Sequence, residues 1–173
     1  MVPVTLLQAG PGAEIGALGH HWPRSPATRR TARAARLWGM DHARFATWLR
    51  GYLDAWRTGE RAAVEALFTE DATYAFAPFQ PPLIGRQAII AMWLKDPDKP
   101  NSWSADYRPL AIDGEVAVAE GETSYRKADG ASQDVDYRNI FVCEFAPDGR
   151  CRSFVEWYMT VPQAREQEDE PAA

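Results

Sequence analysis

The last third of the chain carries a pattern that predicts one long antiparallel hairpin. The segment VDYRNIFVCEFAPDGRCRSFVEWYM holds two apolar-rich extended runs of similar length, joined by a Pro-Asp-Gly turn. Side chains alternate between the two faces of a strand, so the length of this turn decides which side chains of the two runs share a face. The hairpin therefore constrains both the fold and the make-up of any pocket beside it.

A four-residue turn at PDGR pairs odd positions of the first strand with even positions of the second. A three-residue turn with a glycine bulge would shift the pairing by one residue and split the set. We favour the four-residue turn, which places one group of side chains on a common inner face: Tyr137, Asn139, Phe141, Cys143, Phe154, Glu156 and Tyr158. The inner side of the preceding strand then holds small residues that leave volume unfilled, namely Ala117, Ala119, Gly121 and Thr123.

The region before this hairpin is helical by its apolar spacing. Asp41 is a good N-cap, and an apolar stripe follows it along a first helix. A shorter helix ends near Phe68, an extended run covers residues 72–76, and a third helix covers residues 86–94, with the proline-rich APFQPPLIG predicted as a loop between them. The first stripe consists of Phe45, Trp48, Leu49, Tyr52 and Trp56.

Beyond residue 102 the apolar period changes from nearly four to two. Strands are expected at 103–112, 115–126, 133–146 and 151–160, with Asp-Gly turns between them. The order of two helices, a strand, a helix and four strands predicts an α+β fold. In it a curved antiparallel sheet wraps around the N-terminal helices as a cone-shaped α+β barrel. We expect this domain to span residues 40–162.

The two ends of the chain differ in composition from the predicted domain. Residues 1–39 are rich in Gly, Pro, Ala and Arg and lack a sustained apolar period, so we expect a disordered extension. A translation start at Met40 is the alternative for this segment. Residues 163–173 are expected to form an acidic flexible tail.

Composition excludes several classes of function. The net charge is -5, and because residues 1–39 carry five Arg against one Glu, the remainder is at -9, which argues against nucleic acid as a partner. The apolar runs are far shorter than the roughly 20 residues of a membrane-spanning helix. Cys143 and Cys151 do not resemble a secreted disulfide framework, so we expect free thiols and a cytoplasmic protein. No motif for a metal or cofactor is present in the domain, and none is expected.

The ordered set of helix, short helix, LFTEDATY, proline-rich loop with IGR, third helix and four strands resembles the nuclear transport factor 2-like (SnoaL-like) superfamily. The resemblance covers about residues 41–162. It implies the cone fold of the ketosteroid isomerases, with a deep apolar pocket between sheet and helices. The superfamily also includes scytalone dehydratase, limonene epoxide hydrolase, polyketide cyclases and proteins that only bind other proteins.

The resemblance also indicates which family activities this chain lacks. Tyr52 matches the oxyanion-hole tyrosine of ketosteroid isomerase, but the catalytic aspartate falls on Phe76 and the second acid on Phe141. The Arg-x-Asp pair of limonene epoxide hydrolase falls on Gly121 and Thr123, and its last carboxylate falls on Glu156. His42 is the one histidine of the domain region, so the histidine-dependent chemistry of scytalone dehydratase is not expected either.

We expect an aromatic cavity with Glu156 as its acid. Burial among aromatic rings would raise the pKa of Glu156 toward the range that is useful for proton transfer. The catalytic candidates are Glu156 and Tyr52, and the remaining wall is expected to bind an apolar or aromatic small molecule. That wall consists of Trp56, Tyr74, Phe76, Trp93, Tyr137, Asn139, Phe141 and Tyr158.

Two functions remain open at this point. The first is a cofactor-independent isomerase, cyclase or dehydratase that works by proton transfer. The second is a non-catalytic binding or interaction module of the same fold, in which the aromatic residues are plain core and Glu156 only satisfies a buried hydrogen bond or an arginine. The outer sheet face mixes apolar and charged residues, among them Ile140, Val142 and Trp157, which suits either a dimer interface or an ordinary solvated face with cross-strand ion pairs. The resemblance favours a homodimer.

Overall fold

The computed structural model of the protein describes residues 39–99, 101–126 and 135–160. The predicted extension lies outside these residues except for Gly39, and the predicted acidic tail lies outside them entirely.

Helix α1 (His42–Thr58) has the N-cap that the sequence predicts. The Asp41 carboxylate accepts a 2.8 Å hydrogen bond from the backbone N–H of Arg44, which satisfies one of the free donors of the first turn. The helix ends at Gly59, whose φ of 62° suits a residue without a Cβ. Its apolar stripe is buried as expected, and α2 (Arg61–Leu67) follows after a short connection.

The next three elements complete the helical side and one edge of the sheet. Strand β1 (Phe68–Ala75) continues directly from α2, and helix α3 (Arg86–Lys95) buries Ile89, Ile90 and Trp93. The proline-rich segment between them was predicted to be entirely loop. It contributes a two-residue strand, β2 (Leu83–Ile84), which pairs antiparallel with β1.

Four long strands follow in the predicted positions: β3 (Trp103–Asp113), β4 (Val116–Tyr125), β5 (Val135–Phe145) and β6 (Cys151–Thr160). The six strands form one sheet in the order β2-β1-β6-β5-β4-β3. β3 to β6 are antiparallel neighbours, whereas β1 joins β6 in parallel. The sheet is open, with β2 and β3 at its edges, and the fold is α+β as predicted.

The pairing of β5 with β6 is the one that a four-residue turn predicts. Phe141 pairs with Glu156, and Asn139 pairs with Tyr158. Close to the turn the register shifts, because Arg152 is an extra residue in β6 and Phe145 pairs with Cys151. The turn is therefore shorter than the four residues predicted, and the bulge at Arg152 restores the predicted inner face.

The inner face of the sheet packs on the helices. Phe141, Phe154 and Thr123 are fully buried there, together with the small side chains of β4. Cys143 and Cys151 are buried free thiols. The outer face carries cross-strand ion pairs, including Arg138 with Glu122.

None of the described helices has the combination of length and apolarity that crossing a bilayer requires.

Candidate functional site

Glu156 lies on the inner face of β6, in the interior of the protein. It is 1% exposed, and within residues 39–99, 101–126 and 135–160 no other acidic side chain is buried to this degree. The alternation of β6 carries it there, because Phe154 two residues earlier faces the same interior and is fully buried. The candidate acid is therefore where the hairpin register predicts it.

Asn139 holds the Glu156 carboxylate in place. Its side-chain Nδ2 donates a 2.6 Å hydrogen bond to Glu156 Oε1, and Asn139 is itself 2% exposed. The second carboxylate oxygen, Glu156 Oε2, and the amide oxygen, Asn139 Oδ1, have no hydrogen-bond partner among the described residues. This buried pair thus has two free polar atoms.

Burial raises the pKa of Glu156 to about 8, and the hydrogen bond from Asn139 acts in the opposite direction. Removal of a carboxylate from water disfavours its charged form, whereas a donated hydrogen bond favours it. The desolvation effect wins, and Glu156 can exchange a proton near neutral pH.

Tyrosines surround the carboxylate. Burial is the first cause of the raised pKa of each of them, and the Glu156 charge raises these pKa values further because it opposes a second negative charge nearby. They therefore remain protonated hydrogen-bond donors throughout the neutral range. The set is Tyr52, Tyr74, Tyr107, Tyr125, Tyr137 and Tyr158.

Tyr52 and Tyr74 form a hydrogen-bonded pair. Their hydroxyl oxygens are 2.9 Å apart, and both rings stack on Phe154, with centroid distances of 5.6 and 4.4 Å. One hydroxyl proton is used within the pair, which leaves the other able to donate elsewhere. Trp93 Nε1 is a further buried donor without a partner among the described residues, and its ring meets Tyr52 edge to face at 5.1 Å.

The other end of the interior is more open. Tyr137 and Tyr158 are half-buried and contact each other at 5.5 Å between centroids. Next to them, Trp56 stacks on Trp103 at 3.6 Å and donates a 2.8 Å hydrogen bond to Asp98. Along the hairpin, Glu156 lies between Tyr158 at this aromatic rim and the closely packed ring of Phe154, and Asn139 is the strand partner of Tyr158.

The structure brings the predicted site residues together, although their roles remain a prediction. Tyr52, Trp56, Tyr74, Trp93, Asn139, Phe141 and Glu156 are buried, and Phe76, Tyr137 and Tyr158 are half-buried. The interior aromatic cavity that these residues were expected to line also remains a prediction. Clear depressions lie instead on the outer sheet face, one of about 560 Å³ beside Arg138 and Trp157 and one of about 500 Å³ beside Val142 and Val155.

Sequence reasoning missed Tyr107 and Asp98. Tyr107 packs on Phe141 at 4.4 Å and shares a hydrogen bond with the Thr123 hydroxyl. The alternation Trp103, Ala105, Tyr107 along β3 contained the signal for it. Asp98 follows a helix in a proline-containing loop, where no period indicates which side chain turns inward.

Strand β3 packs so closely against Gly121 that there is no room for a side chain at this position. A Cβ built on it would collide with the carbonyl oxygen of Asp106 and with the ring of Tyr107. The resemblance matches this position to the arginine of limonene epoxide hydrolase, and the packing of β3 leaves no room for such a side chain here. The described residues also contain no group of three acidic, His or Cys side chains that suits a metal ion.

The two residues that the resemblance matches to the acids of ketosteroid isomerase, Phe76 and Phe141, lie on either side of Glu156. Phe141 is its direct partner on β5. On β1, Ala75 pairs with Val155 of β6, so the next residue, Phe76, lies on the other side of Glu156. Glu156 thus lies between the two residues that the resemblance matches to the carboxylates of ketosteroid isomerase.

These features define a class of protein: an α+β cone fold with an aromatic interior around one buried acid. The SnoaL-like domain family matches residues 49–163, which is more than half of the chain, and the chain belongs to this family. No curated protein matches it.

Three solved structures illustrate the likeness in fold. An M. tuberculosis LEH-like epoxide hydrolase is 14% identical with a TM-score of 0.53, over 72% of this chain and 89% of the other. SalBIII, an epoxide hydrolase/cyclase-like enzyme of pyran ring formation in the polyether salinomycin, is 19% identical with a TM-score of 0.55, over 71% and 95%. A ketosteroid isomerase-like protein from Erwinia carotovora atroseptica is 17% identical with a TM-score of 0.51, over 68% and 95%.

Proposed function

We propose that this SnoaL-like protein is a cofactor-independent enzyme that transfers a proton to or from an apolar or aromatic small molecule, with Glu156 as its acid or base. The observation that carries the proposal is the buried Glu156 carboxyl, whose pKa burial raises to about 8. The class of reaction includes isomerisation, cyclisation and dehydration, since each needs a proton to move at one substrate atom.

The neighbouring donors support this chemistry. When Glu156 removes a proton from carbon, negative charge develops on a conjugated substrate oxygen, and the free O–H of the Tyr52–Tyr74 pair and Trp93 Nε1 are donors able to stabilise it. Fixed donors in a site without water stabilise such charge more strongly than water does. Asn139 acts as a positioning residue because it holds one oxygen of Glu156 and leaves the other free.

The aromatic wall sets the kind of substrate. We place the apolar part of the substrate against Phe141, Phe76 and Trp56, with Tyr137 and Tyr158 at the entrance. This placement follows from the half-buried rim, since the rings around Tyr74 and Phe154 already contact one another closely. The free thiols suit a reducing cytoplasm, where we propose the protein acts.

A single probe tests the proposal without a known substrate. The β-hydroxyketone 4-hydroxy-4-phenylbutan-2-one offers a carbonyl, acidic carbon protons, a hydroxyl and an aromatic ring. In D₂O, ¹H NMR follows both the exchange of its carbon protons and the loss of water. We expect either rate to exceed the buffer rate and to fall by about 10²-fold or more in Glu156→Gln, the range that a general acid or base contributes. Equal rates in the two proteins would contradict the assignment of Glu156.

A non-catalytic binding module is the second candidate. The close ring contacts favour it: Tyr52, Phe141 and Phe154 lie within 5.6 Å of one another, and aromatic clusters of this kind are often plain core. It predicts that wild type and Glu156→Gln leave the probe equally unchanged. Native mass spectrometry of the purified protein would then show whether a ligand accompanies it.

We also propose a homodimer through the outer sheet face. Trp157 is 47% exposed there and Met159 is 42% exposed, and both lie beside the half-buried Ile140. The adjoining depressions give a second copy an apolar surface to fill, and the surrounding ion pairs supply a polar rim.

A further inference from the structure

Two buried polar atoms of the site have no partner among the described residues. They are Glu156 Oε2 and Asn139 Oδ1, and both side chains are at most 2% exposed. Buried polar atoms in native proteins are paired in about nine cases of ten, because each unpaired one costs roughly 1–3 kcal/mol. Because the two side chains are bonded to each other through Asn139 Nδ2 and Glu156 Oε1, one small polar group that reached both atoms would pair them.

The existing hydrogen bond fixes what each atom can do. Asn139 presents its amide N–H to Glu156 Oε1, so its oxygen faces away from that bond and carries no proton. Asn139 Oδ1 can therefore only accept a hydrogen bond. Glu156 Oε2 donates when the acid is protonated and accepts when it is ionised.

A single group that pairs with both atoms must donate to Asn139 Oδ1 and also pair with Glu156 Oε2. A hydroxyl has one proton and two lone pairs, so it satisfies both atoms in either protonation state of Glu156 by changing its rotation. A ketone or an ether has no proton for Asn139 Oδ1. A carboxylate would add a negative charge beside Glu156, and an ammonium cannot accept from the protonated acid.

The surroundings define the rest of the ligand. The direct strand partners of Glu156 and Asn139 are the aromatic side chains of Phe141 and Tyr158. No arginine or lysine is paired with Glu156 among the ion pairs of the described residues, so nothing there compensates a charged ligand. The molecule is therefore uncharged and apolar apart from its hydroxyl.

We infer that the Glu156–Asn139 pair selects an uncharged apolar or aromatic alcohol by binding its hydroxyl group. This inference rests on the proposed function of the same site and names its ligand class. It also locates the reacting atom. A protonated Glu156 gives its proton to the hydroxyl oxygen, the carbon–oxygen bond breaks with its electron pair going to water, and the Glu156 carboxylate then takes a proton from the neighbouring carbon. Water leaves, an alkene forms, and Glu156 is protonated again.

Binding of four matched compounds tests the inference. Benzyl alcohol, benzyl methyl ether, ethylbenzene and benzoate are titrated at pH 6 and followed by ¹⁵N chemical shifts. We expect the wild-type protein to bind benzyl alcohol about tenfold more tightly than the ether and the hydrocarbon, since each of those leaves a buried polar atom unpaired. Benzoate is expected to bind most weakly.

Variants assign the preference to the two side chains. Asn139→Leu removes the acceptor and is expected to abolish the tenfold preference. Glu156→Gln keeps a donor and an acceptor, so it is expected to retain the preference while losing proton transfer. Thr123→Val removes a buried hydroxyl from β4 and serves as the matched control, with the preference unchanged.

The outcomes separate the inference from the proposed function. Equal affinity of wild type for benzyl alcohol and ethylbenzene, or tighter binding of benzoate, overturns the inference even if Glu156-dependent proton transfer is observed. Retention of the preference in Asn139→Leu overturns it as well. A tenfold preference without any proton transfer supports the inference and contradicts the enzymatic function. Absence of binding by all four compounds overturns the inference, and together with an unreacted probe it overturns both.

Discussion

Phe141 on β5 and Glu156 on β6 are direct cross-strand partners on the inner face of the sheet. The pairing places a fully buried phenyl ring beside a carboxyl group that is 1% exposed. Because a shift of one residue would turn the whole of β6 over, this single register decides whether the chain has an internal acid or an ordinary surface glutamate. The chemistry proposed for the protein depends on it.

Gly121 should tolerate no larger residue. In Gly121→Ala, the new Cβ would collide with the Asp106 carbonyl and Tyr107, so we expect a loss of about 1–3 kcal/mol in the free energy of unfolding. Gly51→Ala is the matched control, because its Cβ would lie 3.5 Å from Leu67 Cδ2, an ordinary contact, within a helix that favours alanine. Urea denaturation measures both, and equal effects of the two substitutions would contradict the packing described here.

The hydroxyl pair of Tyr52 and Tyr74 should contribute to stability as a unit. Tyr52→Phe and Tyr74→Phe are each expected to cost about 1 kcal/mol, and the double variant less than the sum, because either change breaks the same 2.9 Å bond. Tyr158→Phe serves as the control for loss of a hydroxyl at the rim. Additive single effects in the double-mutant cycle would show that the two hydroxyls do not interact.

The outer sheet face should hold two copies together. Trp157→Lys is expected to convert a dimer into a monomer in light scattering at micromolar concentration, since it places a charge in the apolar centre of the proposed interface. Ile84→Lys, on the edge strand β2 and 75% exposed, changes an apolar side chain outside that face and should leave the dimer intact. A monomeric wild-type protein at this concentration would contradict the proposed homodimer.

Much of this fold follows from the sequence. The N-cap at Asp41 and the change of apolar period after residue 102 locate the elements, because local hydrogen bonding and side-chain alternation act over a few residues. The pairing of Phe141 with Glu156 was predicted from a four-residue turn, but it arises from a tighter turn together with the extra residue Arg152, a bulge that the sequence did not indicate. The parallel pairing of β1 with β6 did not follow, because it joins strands far apart in the chain and no local signal specifies it.

Side-chain alternation along the strands also allowed part of the candidate site to be predicted. Glu156 and Asn139 lie on one hairpin, so alternation places both. Whether Asn139 Oδ1 and Glu156 Oε2 find hydrogen-bond partners depends on side chains that other elements bring to them, and the hairpin sequence does not specify these. The volume available to a ligand depends on how many aromatic rings pack together, and the spacing of residues along the sequence does not determine this packing. Asp98 could not be predicted for a similar reason. It accepts a hydrogen bond from Trp56, which is far away in the sequence, on α1, whereas Asp98 lies in the loop after α3.

Stability should fall as the pH rises because of Glu156. Its pKa is about 8 in the folded protein against an ordinary value of 4.5, so folding favours the protonated form. The stabilising contribution is complete below pH 4.5 and is lost as the pH rises toward 8, by at most about 1.4 kcal/mol per pH unit. The free energy of unfolding of wild type minus that of Glu156→Gln should therefore decrease between pH 5 and pH 8. A pH-independent difference would mean that Glu156 titrates normally.

The most direct test of the account is a ¹³C NMR titration of the Glu156 side-chain carboxyl, assigned by its disappearance in Glu156→Gln. We expect a midpoint near pH 8 in the wild-type protein and a higher midpoint in Asn139→Leu, because the hydrogen bond from Asn139 lowers the pKa of Glu156. A wild-type midpoint near the ordinary 4.5 would show a solvated carboxylate and would contradict the internal acid on which the proposed function depends.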